Sequence, residues 1–514
     1  MQLNRTKKAT RNIVISFIGY VCVVLSGFIA RSVMLKYMGI EMVGVGQLFS
    51  NIFMMLSYSS LGLETAIIYS LYEPLEHGDE KKICVIMEFY KKCFRYIATC
   101  IITLTIVLLP LIPYFVKNSE DMEDIYLILI LYGLTAATSY IYAFKRSIII
   151  ADQDRYLSTL FTDVFSILKL ILQIYVIATT RSYILYMFTN VMVVLSNILA
   201  AFYIDMRYPY LKNKNKREDI GRRLSKEESI ELTKTTGALI EQKLGFVFIY
   251  AVDSVLMSTF VGVSLIGIYS NYLIVINGLQ AGIIIIFQSV IAGIGNLAVT
   301  EENQRLKQTW ELLNFISQWI YGFSSICLFV LFNPFIKIWI GDEYIFSQNI
   351  VFLIILYFYL GGMRKPVIAC KDATGMQWKD RYKPLAEVLL NVGISLLLVS
   401  KLGMVGIFLG MNISMILTSC WIEPFVFCRY GIKSSFVKYF VDYCCKFLVI
   451  LFTGAVTYII AGIFTRSFSG IEEFAVKMLL CCIVPNIIFG LIYWRTEKFR
   501  EVKEIVKRIL THEK

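Results

Sequence analysis

Side chains that could bind a charged ligand lie inside long apolar segments of the sequence. The fifth apolar segment carries a polar stripe that fills one third of a helical wheel at ~100° per residue: Thr159, Thr162, Asp163, Ser166, Lys169 and Gln173. A later segment has a second stripe at i, i+4 spacing: Lys383, Glu387, Asn391 and Ser395. Two shorter stripes comprise Gln47, Asn51, Tyr58 and Thr65, and Asn277, Gln280 and Gln288.

Lipid penalises polar faces, so these stripes must meet either water or one another. Interhelical hydrogen bonding in a packed bundle is one interpretation, at only ~0.6 kcal/mol for each bond on average. A water-filled cavity is the other. Four stripes, two of which carry Lys or Glu, favour the cavity, and we expect Lys169, Gln173, Asn51, Asp163 and Glu387 to line it.

Isolated charges lie deeper in other apolar segments. Arg31 and Asp253 each lie far along a segment, at similar predicted depth, and Glu64 and Lys243 lie nearer one end. Snorkelling to the membrane surface is the alternative to a cavity position, and for Arg31 and Asp253 both interpretations stay open. In the cavity, cations would bind an anionic substrate and carboxylates could couple transport to protons or ions.

The sequence lacks the residues that nucleotide-binding loops and metal sites need. No phosphate-cradling G-x-x-x-x-G-K-[ST] sequence occurs, only two histidines are present, and no Cys/His group has metal-ligand spacing. Most of the 12 cysteines lie in apolar segments, where they act as small hydrophobic residues. The sequence therefore predicts a protein that is not an enzyme and has no metal or other cofactor.

The elements that must position these residues are membrane-spanning helices. The 514 residues are 57% hydrophobic and 17% charged, against ~45–50% and ~25% in typical soluble domains. About 14 apolar segments are near or above the ~20 residues that a spanning helix needs. The sequence therefore predicts an all-α integral membrane protein.

Two matches indicate a duplicated unit. The glycine pair Gly39/Gly44 in Tyr37–Val45 recurs as Gly262/Gly267 in Phe260–Ile268, and Asp-Arg-Tyr occurs at 154–156 and 380–382, at nearly the same offset. We therefore predict five parts: a six-helix lobe at 1–205, a basic cytoplasmic linker at 206–234, a second six-helix lobe at 235–428, two added helices at 429–494, and a tail at 495–514. The tail is predicted to be a basic amphipathic helix, lying on the membrane surface or packing on the cytoplasmic loops.

The basic residues predict the orientation. With the first segment in the cytoplasm, 40 of the 50 Lys and Arg fall in or beside cytoplasmic segments and six in outer ones. This positive-inside asymmetry places both termini in the cytoplasm. Anionic membrane lipids then account for the net charge of +12 without a nucleic-acid partner.

Three stretches resemble bacterial polysaccharide flippases. They are 31–83 (RSVMLKYMGIEMVGVG and onward), Asp253–Tyr272 (DSVLMSTFVGVSLIGIYSNY) and Lys401–Gly410 (KLGMVGIFLG). These flippases are the O-antigen, teichoic and capsular exporters of the multidrug/oligosaccharidyl-lipid/polysaccharide (MOP) superfamily.

The resemblance implies two MATE-like six-helix lobes around a central cavity in a bacterial cytoplasmic membrane. It also implies flipping of an oligosaccharide linked to undecaprenyl pyrophosphate, with polysaccharide polymerases or glycosyltransferases as further partners. Family members often line the cavity with cations that would meet the pyrophosphate. Here Arg31, Lys169 and Lys243 could do so, although acidic residues partly balance them.

Two other functions stay open. Drug or cation efflux by the same superfamily would favour acidic cavity residues, and this chain has them in Asp163, Glu64 and Asp253. A membrane glycosyltransferase or polymerase would need a substantial outer loop, and the predicted outer segments are short.

The predicted orientation can be tested by labelling. In a cysteine-free background, single cysteines at Asn118 and Ser469 should react with an impermeant thiol reagent added outside the cell. Cysteines at Asn213 and Lys371 should not react, because both lie in predicted cytoplasmic segments. Labelling of either of these two from outside would contradict the fourteen-helix arrangement.

Overall fold

The computed structural model describes residues 2–116, 124–211, 252–300, 303–374 and 376–511. Within this part of the chain every regular element is a helix and no strand is present. The helices form two units, Met1–Ser270 and Asn271–Lys514. Most of the predicted linker at 206–234 lies outside the described residues.

The first unit is built from helices α1 to α8 and the start of α9. Their bounds are α1 Gln2–His77, α2 Glu80–Leu108, α3 Ile112–Phe115, α4 Ile125–Ala151, α5 Arg155–Thr180, α6 Tyr183–Phe188, α7 Val191–Arg207, α8 Val252–Val261 and α9 Val263–Thr300. Helix α1 packs on α4 and α5, and α4 also packs on α2 and α7. Large apolar side chains fill the centre: Leu48, Ile67, Leu71, Tyr90 and Ile148.

The second unit contains the rest of α9 and helices α10 to α18. Their bounds are α10 Asn303–Ile340, α11 Gln348–Met363, α12 Lys365–Thr374, α13 Lys383–Leu402, α14 Met404–Leu417, α15 Ser419–Val426, α16 Phe436–Phe464, α17 Gly470–Tyr493 and α18 Glu497–Thr511. Helix α10 packs on α11, α16 and α17, and α13 packs closely on α14. Aromatic residues fill this core: Tyr321, Phe332, Tyr359, Phe408, Phe427 and Phe489.

Twelve helices in the described part of the chain are long and apolar enough to cross a membrane. The sequence predicts about 14, and two places account for the difference. The first two predicted spans form one continuous helix, α1, with a kink at Gly39. The predicted span at 235–262 lies mostly outside the described residues, and its end is α8, Val252–Val261.

The kink is what allows α1 to belong to a membrane protein. A straight helix of 76 residues would be ~110 Å long, several times the ~30 Å of a bilayer core. Gly39 breaks the helix with φ 77° and ψ 172°, a conformation that glycine adopts without a steric penalty. Gly262, its match in the predicted repeat, has similar geometry with φ 115° and ψ 158°. The shared backbone conformation supports the predicted duplication.

The apolar faces of several helices are exposed, as expected for helices that lipid surrounds. On α5 one face carries Leu160, Val164, Leu168, Ile171 and Tyr175, all exposed. On α16 the exposed residues include Val437, Leu448, Phe452 and Ile459. The polar stripe of α5 therefore occupies the face opposite to its lipid-facing side.

The tail packs on the second unit. Phe499 of α18 stacks on Trp319 of α10 with ring centroids 5.6 Å apart, and Lys498 forms an ion pair with Glu311 at 3.6 Å. The tail therefore contacts helix α10.

One labelling position needs replacement. Lys371 is buried and forms an ion pair with Asp380, so a cysteine there would resist labelling on either side of the membrane. Lys379, which is exposed on the same segment, is the better position for the test of orientation.

Candidate functional site

Arg31 lies in the first unit with hydroxyl groups as its neighbours. Its Nη1 donates a hydrogen bond to Oγ of Ser270 at 2.9 Å. Three phenols lie close enough for electrostatic interaction with the guanidinium: Tyr132, Tyr183 and Tyr186. Among the described residues no carboxylate forms an ion pair with Arg31. The half-buried cation is therefore surrounded by neutral polar groups.

Helices α4 and α6 carry the tyrosines that lie near Arg31. The hydroxyls of Tyr132 on α4 and Tyr183 on α6 form a hydrogen bond at 3.2 Å. Gly46 on α1 leaves room for both, because a Cβ there would lie 2.5 Å from Oη of Tyr183 and 2.9 Å from Oη of Tyr132. Tyr186 packs on Tyr183 with ring centroids 5.2 Å apart. The surroundings of Arg31 are thus rich in hydroxyl groups.

A chain of buried polar side chains continues from α1 to α8. Nε2 of Gln47 donates to Oδ1 of Asn51 at 2.8 Å, and Nδ2 of Asn51 donates to Oγ of Ser254 at 2.7 Å. Asp253, the residue before Ser254, is also buried. No ion pair joins Arg31 to Asp253 in the structure. Ser254 thus joins Asn51 of α1 to the helix that carries Asp253.

These polar groups occupy repeat-related positions. At the offset that relates Gly39 to Gly262, Arg31 corresponds to Ser254 and Gln47 corresponds to Ser270. The repeat-related counterpart of the bond from Arg31 to Ser270 would join Ser254 to Gln47. Ser254 instead accepts from Asn51, which in turn accepts from Gln47.

Helices α1 and α9 cross next to these polar residues. We call the contact of Gly44 with Val263 and of Gly267 with Ile40 the glycine crossing. A Cβ on Gly44 would overlap the backbone carbonyl of Val263, and a Cβ on Gly267 would overlap the carbonyl of Ile40. The two contacts are equivalent under the repeat, because Gly44 corresponds to Gly267 and Ile40 to Val263. Helices α1 and α9 therefore approach through their backbones, as small residues allow in membranes.

The residues of the α5 stripe differ in how deeply they are buried. Gln173 is buried, whereas Asp163 and Lys169 are half-buried. Within the described part of the chain, Lys169 makes no hydrogen bond or ion pair. Lys243, the third predicted cation, lies outside the described residues.

Glu64 interacts electrostatically with a residue that the sequence patterns did not indicate, Arg146. Arg146 on α4 donates from Nη1 to Oγ1 of Thr162 and from Nη2 to Oγ of Ser196 at 2.9 Å. Its Nε is buried without a hydrogen-bond partner among the described residues. Arg146 thus ties α4 to α5 and α7 and gives Glu64 a cationic neighbour.

The second unit contains a buried ion network around Glu423 of α15. Arg364 donates from Nε at 3.0 Å and from Nη2 at 2.8 Å to the two oxygens of Glu423, which also pairs with Lys383. Nη1 of Arg364 lies 3.8 Å from Glu387, and Oγ of Ser419 donates to Glu387. Two cations and two carboxylates make these contacts, and the neighbouring Lys365 interacts electrostatically with Arg364 and Glu423.

The predicted stripe on α13 belongs to this network. Lys383, Glu387, Asn391 and Ser395 are all buried, with relative exposures between 0% and 6%. This stripe therefore fits the interhelical interpretation and does not face water.

Proteins of known structure share this fold. No protein-family model matches the sequence, and no curated protein matches it either. An inward-facing multidrug resistance MATE family transporter of the MOP superfamily superposes with a TM-score of 0.63 at 12% identity, over 80% of this chain and 98% of its own. The chain has a MOP transporter fold.

Two further structures agree with this fold. The lipid II flippase MurJ, in an inward closed conformation, has a TM-score of 0.63 at 13% identity, over 94% of this chain and 99% of its own. A mutant of the Vibrio cholerae MATE transporter VcmN has a TM-score of 0.59 at 12% identity, over 84% and 98%. The predicted class, an all-α membrane protein with MATE-like architecture, is confirmed. At these identities the likeness concerns the MOP fold alone.

The glycine crossing predicts a sensitive contact. Gly44→Ala should separate α1 from α9, because the new methyl group overlaps a backbone carbonyl that cannot move alone; overpacking of this kind costs ~1–3 kcal/mol. Cysteines at Glu41 and Ser264, whose side chains approach to 3.4 Å, should cross-link in a cysteine-free parent and several-fold less in Gly44→Ala. Gly27→Ala is the control, since nothing lies within 4 Å of its Cβ. Equal cross-linking in all three would contradict the crossing.

The ion network predicts a non-additive effect on stability. Lys383→Met or Glu423→Leu alone should lower the free energy of unfolding by ~3–5 kcal/mol, because each leaves an uncompensated buried charge. The double variant removes one charge of each sign, leaves the net charge of the network unchanged and should recover most of that loss. The free energy of unfolding of the parent and of the three variants can be measured in detergent micelles.

An exposed ion pair supplies the control. Lys337 and Asp342 lie 3.0 Å apart and are more than half exposed, so Lys337→Met should change stability by less than ~1 kcal/mol. If the two buried substitutions were additive, the network would not act as a unit.

Proposed function

We propose that the chain is a flippase that moves an oligosaccharide linked to undecaprenyl pyrophosphate across a bacterial cytoplasmic membrane by alternating access. The observation that carries the proposal is the environment of Arg31. This cation lies within a membrane-spanning helix, its neighbours are hydroxyl groups, and no carboxylate pairs with it among the described residues.

A cation in such a place calls for an anionic ligand. Charges inside membrane proteins are costly unless they are paired or serve a substrate pathway. Arg364 shows the paired solution within the same chain, with Glu423 as its partner. Arg31 lacks that partner in the described part of the chain, and a pyrophosphate would supply it. The guanidinium can bind phosphate oxygens in a bidentate way and keeps its charge at any physiological pH.

The neighbouring groups suit the rest of such a headgroup. One hydroxyl of the hydrogen-bonded pair Tyr132–Tyr183 keeps a proton that it can donate to a further phosphate oxygen, while Gln47 and Asn51 present amides that match sugar hydroxyls. Lys169 and Gln173 would add a cation and an amide from α5. Lys243 stays a predicted third cation.

The extent of structural likeness also favours a flippase. The lipid II flippase MurJ is matched over 94% of this chain, whereas the two MATE transporters are matched over 80% and 84%. The difference is about the length of two spanning helices. The sequence predicts two helices beyond a twelve-helix core, and the structure describes them as α16 and α17.

Release of the headgroup on the far side would need the polar contacts of Arg31 and Asn51 and the glycine crossing to open. A ligand can drive that change only through a difference in affinity for the two arrangements. Protonation or ion binding at Asp253, Glu64, Asp163 or Glu387 would reset the carrier. Enzymes that polymerise or assemble the sugar are predicted partners, and the protein itself does no covalent chemistry in this scheme.

Ion-coupled drug or cation efflux is the second candidate. The buried carboxyl group of Asp253 favours it, because an acid close to Asn51 and Ser254 could bind a proton, a metal cation or a cationic drug. Under this alternative Asp253 would contact the substrate and Arg31 would be dispensable.

The two functions differ in a proteoliposome assay. The purified protein should move a fluorescent undecaprenyl-pyrophosphate oligosaccharide between leaflets, and Arg31→Ala should lower the rate by ~100-fold or more, since it removes a charge-assisted bidentate contact. Arg31→Lys should rescue only partly, because an ammonium lacks the planar fork. Accessibility of the fluorophore to a membrane-impermeant quencher measures the flipping.

Arg181→Ala is the matched control, since Arg181 is an exposed arginine at the end of α5, and its flipping rate should equal that of the parent. Normal flipping by Arg31→Ala would make Arg31 a snorkelling residue. Uptake of a cationic dye that depends on Asp253, without any lipid flipping, would support efflux instead.

A further inference from the structure

A pocket of about 240 Å³ lies between helices α2 and α4 of the first unit, apart from the residues discussed above. Lys91 and Arg95 of α2 and Ile141 and Lys145 of α4 line it. The start of α2 and the end of α4 belong to the predicted cytoplasmic side. Residues 96–116 and 125–144 contain no charged side chain, so the pocket lies where the apolar parts of both helices meet the inner membrane surface.

The lining of the pocket has more cations than carboxylates. Lys91 pairs with Glu88 at 3.2 Å, and Lys145 pairs with Asp205 at 2.7 Å. The third cation, Arg95, is exposed and can therefore contact a ligand. Arg95 forms no ion pair with any residue that the structure describes. The pocket thus holds one accessible guanidinium for which an external anion would be the partner.

On α2, exposed apolar side chains continue the helix face that carries the cations. Arg95 follows Lys91 by four residues, Ile102 follows Arg95 by seven, and Ile106 follows Ile102 by four. Residues at these intervals share one face of a helix. Ile102 and Ile106 are 43% and 61% exposed. The cationic part of this face lies in the pocket, and its apolar part extends from the pocket into the membrane.

Helix α4 carries the matching stripe. Ile141 and Leu134 precede Lys145 at successive intervals of four and seven residues and are 42% and 49% exposed. Phe94 of α2 lies beside Phe144 of α4, with ring centroids 6.4 Å apart, so the cytoplasmic parts of the two helices are adjacent. Because α2 runs away from this surface and α4 returns to it, both apolar stripes extend from the pocket in the same direction. Together they form a groove that begins at the cations.

We propose that this pocket and groove bind an anionic glycerophospholipid of the inner leaflet. The phosphodiester would accept hydrogen bonds from Arg95 and lie beside Lys91 and Lys145, while an acyl chain would cover Ile102 and Ile106. Basic pockets between spanning helices at the cytoplasmic side bind anionic headgroups in this manner. Such a lipid would be a constituent of the membrane, distinct from the transported substrate, and it would hold α2 against α4.

Native mass spectrometry of the purified full-length chain tests the proposal with phosphatidylglycerol and phosphatidylcholine as probes. The parent should retain phosphatidylglycerol in preference to phosphatidylcholine. Arg95→Gln should weaken phosphatidylglycerol binding by about tenfold or more, since a charge-assisted hydrogen bond is worth at least that factor. Arg95→Lys keeps the charge and should recover part of the affinity. Glycerophosphoglycerol, which has the headgroup without acyl chains, should not displace the lipid at equal concentration.

The control removes one charge from the same helix outside the pocket. Lys92, three residues before Arg95, is exposed and does not line the pocket, so Lys92→Gln should leave the affinity unchanged. Equal losses in Arg95→Gln and Lys92→Gln would show unspecific attraction and overturn the proposal. So would equal retention of the two lipids, unchanged binding in Arg95→Gln, displacement by glycerophosphoglycerol, or displacement by a lower concentration of undecaprenyl pyrophosphate that depends on Arg95.

Discussion

The structure depends on how charges are neutralised within the apolar interior of membrane-spanning helices. Arg364 shows one solution, in which it forms a buried network of ion pairs with Glu423, Lys383 and Glu387 between α11, α13 and α15. Arg31 is different, because Ser270 and three tyrosines surround it without a carboxylate partner in the described part of the chain. The same constraint that makes Arg364 structural underlies the proposal that Arg31 binds an anion.

The predicted duplication is reflected in the glycines of α1 and α9 in the first unit. The kinks at Gly39 and Gly262 repeat one backbone geometry, and the glycines that follow, Gly44 and Gly267, each lie against a carbonyl of the other repeat. Polar side chains of α1, α8 and α9 also meet next to this crossing.

Much of the fold could be predicted from the sequence, because the length of apolar segments and the spacing of glycines are local signals. The spanning segments, the glycine pair and the polar face of α5 belong to that class. The partners of Arg31 could not be predicted, since Ser270 lies 239 residues away. Likewise Arg364 and Glu423 are 59 residues apart, and only the packed structure shows that the stripe from Lys383 to Ser395 is buried. A stripe of polar residues has the same sequence pattern whether its partner is water or another helix.

Equilibrium binding tests the role of Arg31 most directly, without depending on transport. The purified protein in nanodiscs would be titrated with undecaprenyl pyrophosphate and with undecaprenol, which share the chain and differ in the anionic group. We expect at least a tenfold preference for the pyrophosphate, as for roughly one charge-assisted contact, and loss of that preference in Arg31→Ala. An unchanged preference in Arg31→Ala would contradict the assignment of Arg31 as the anion site.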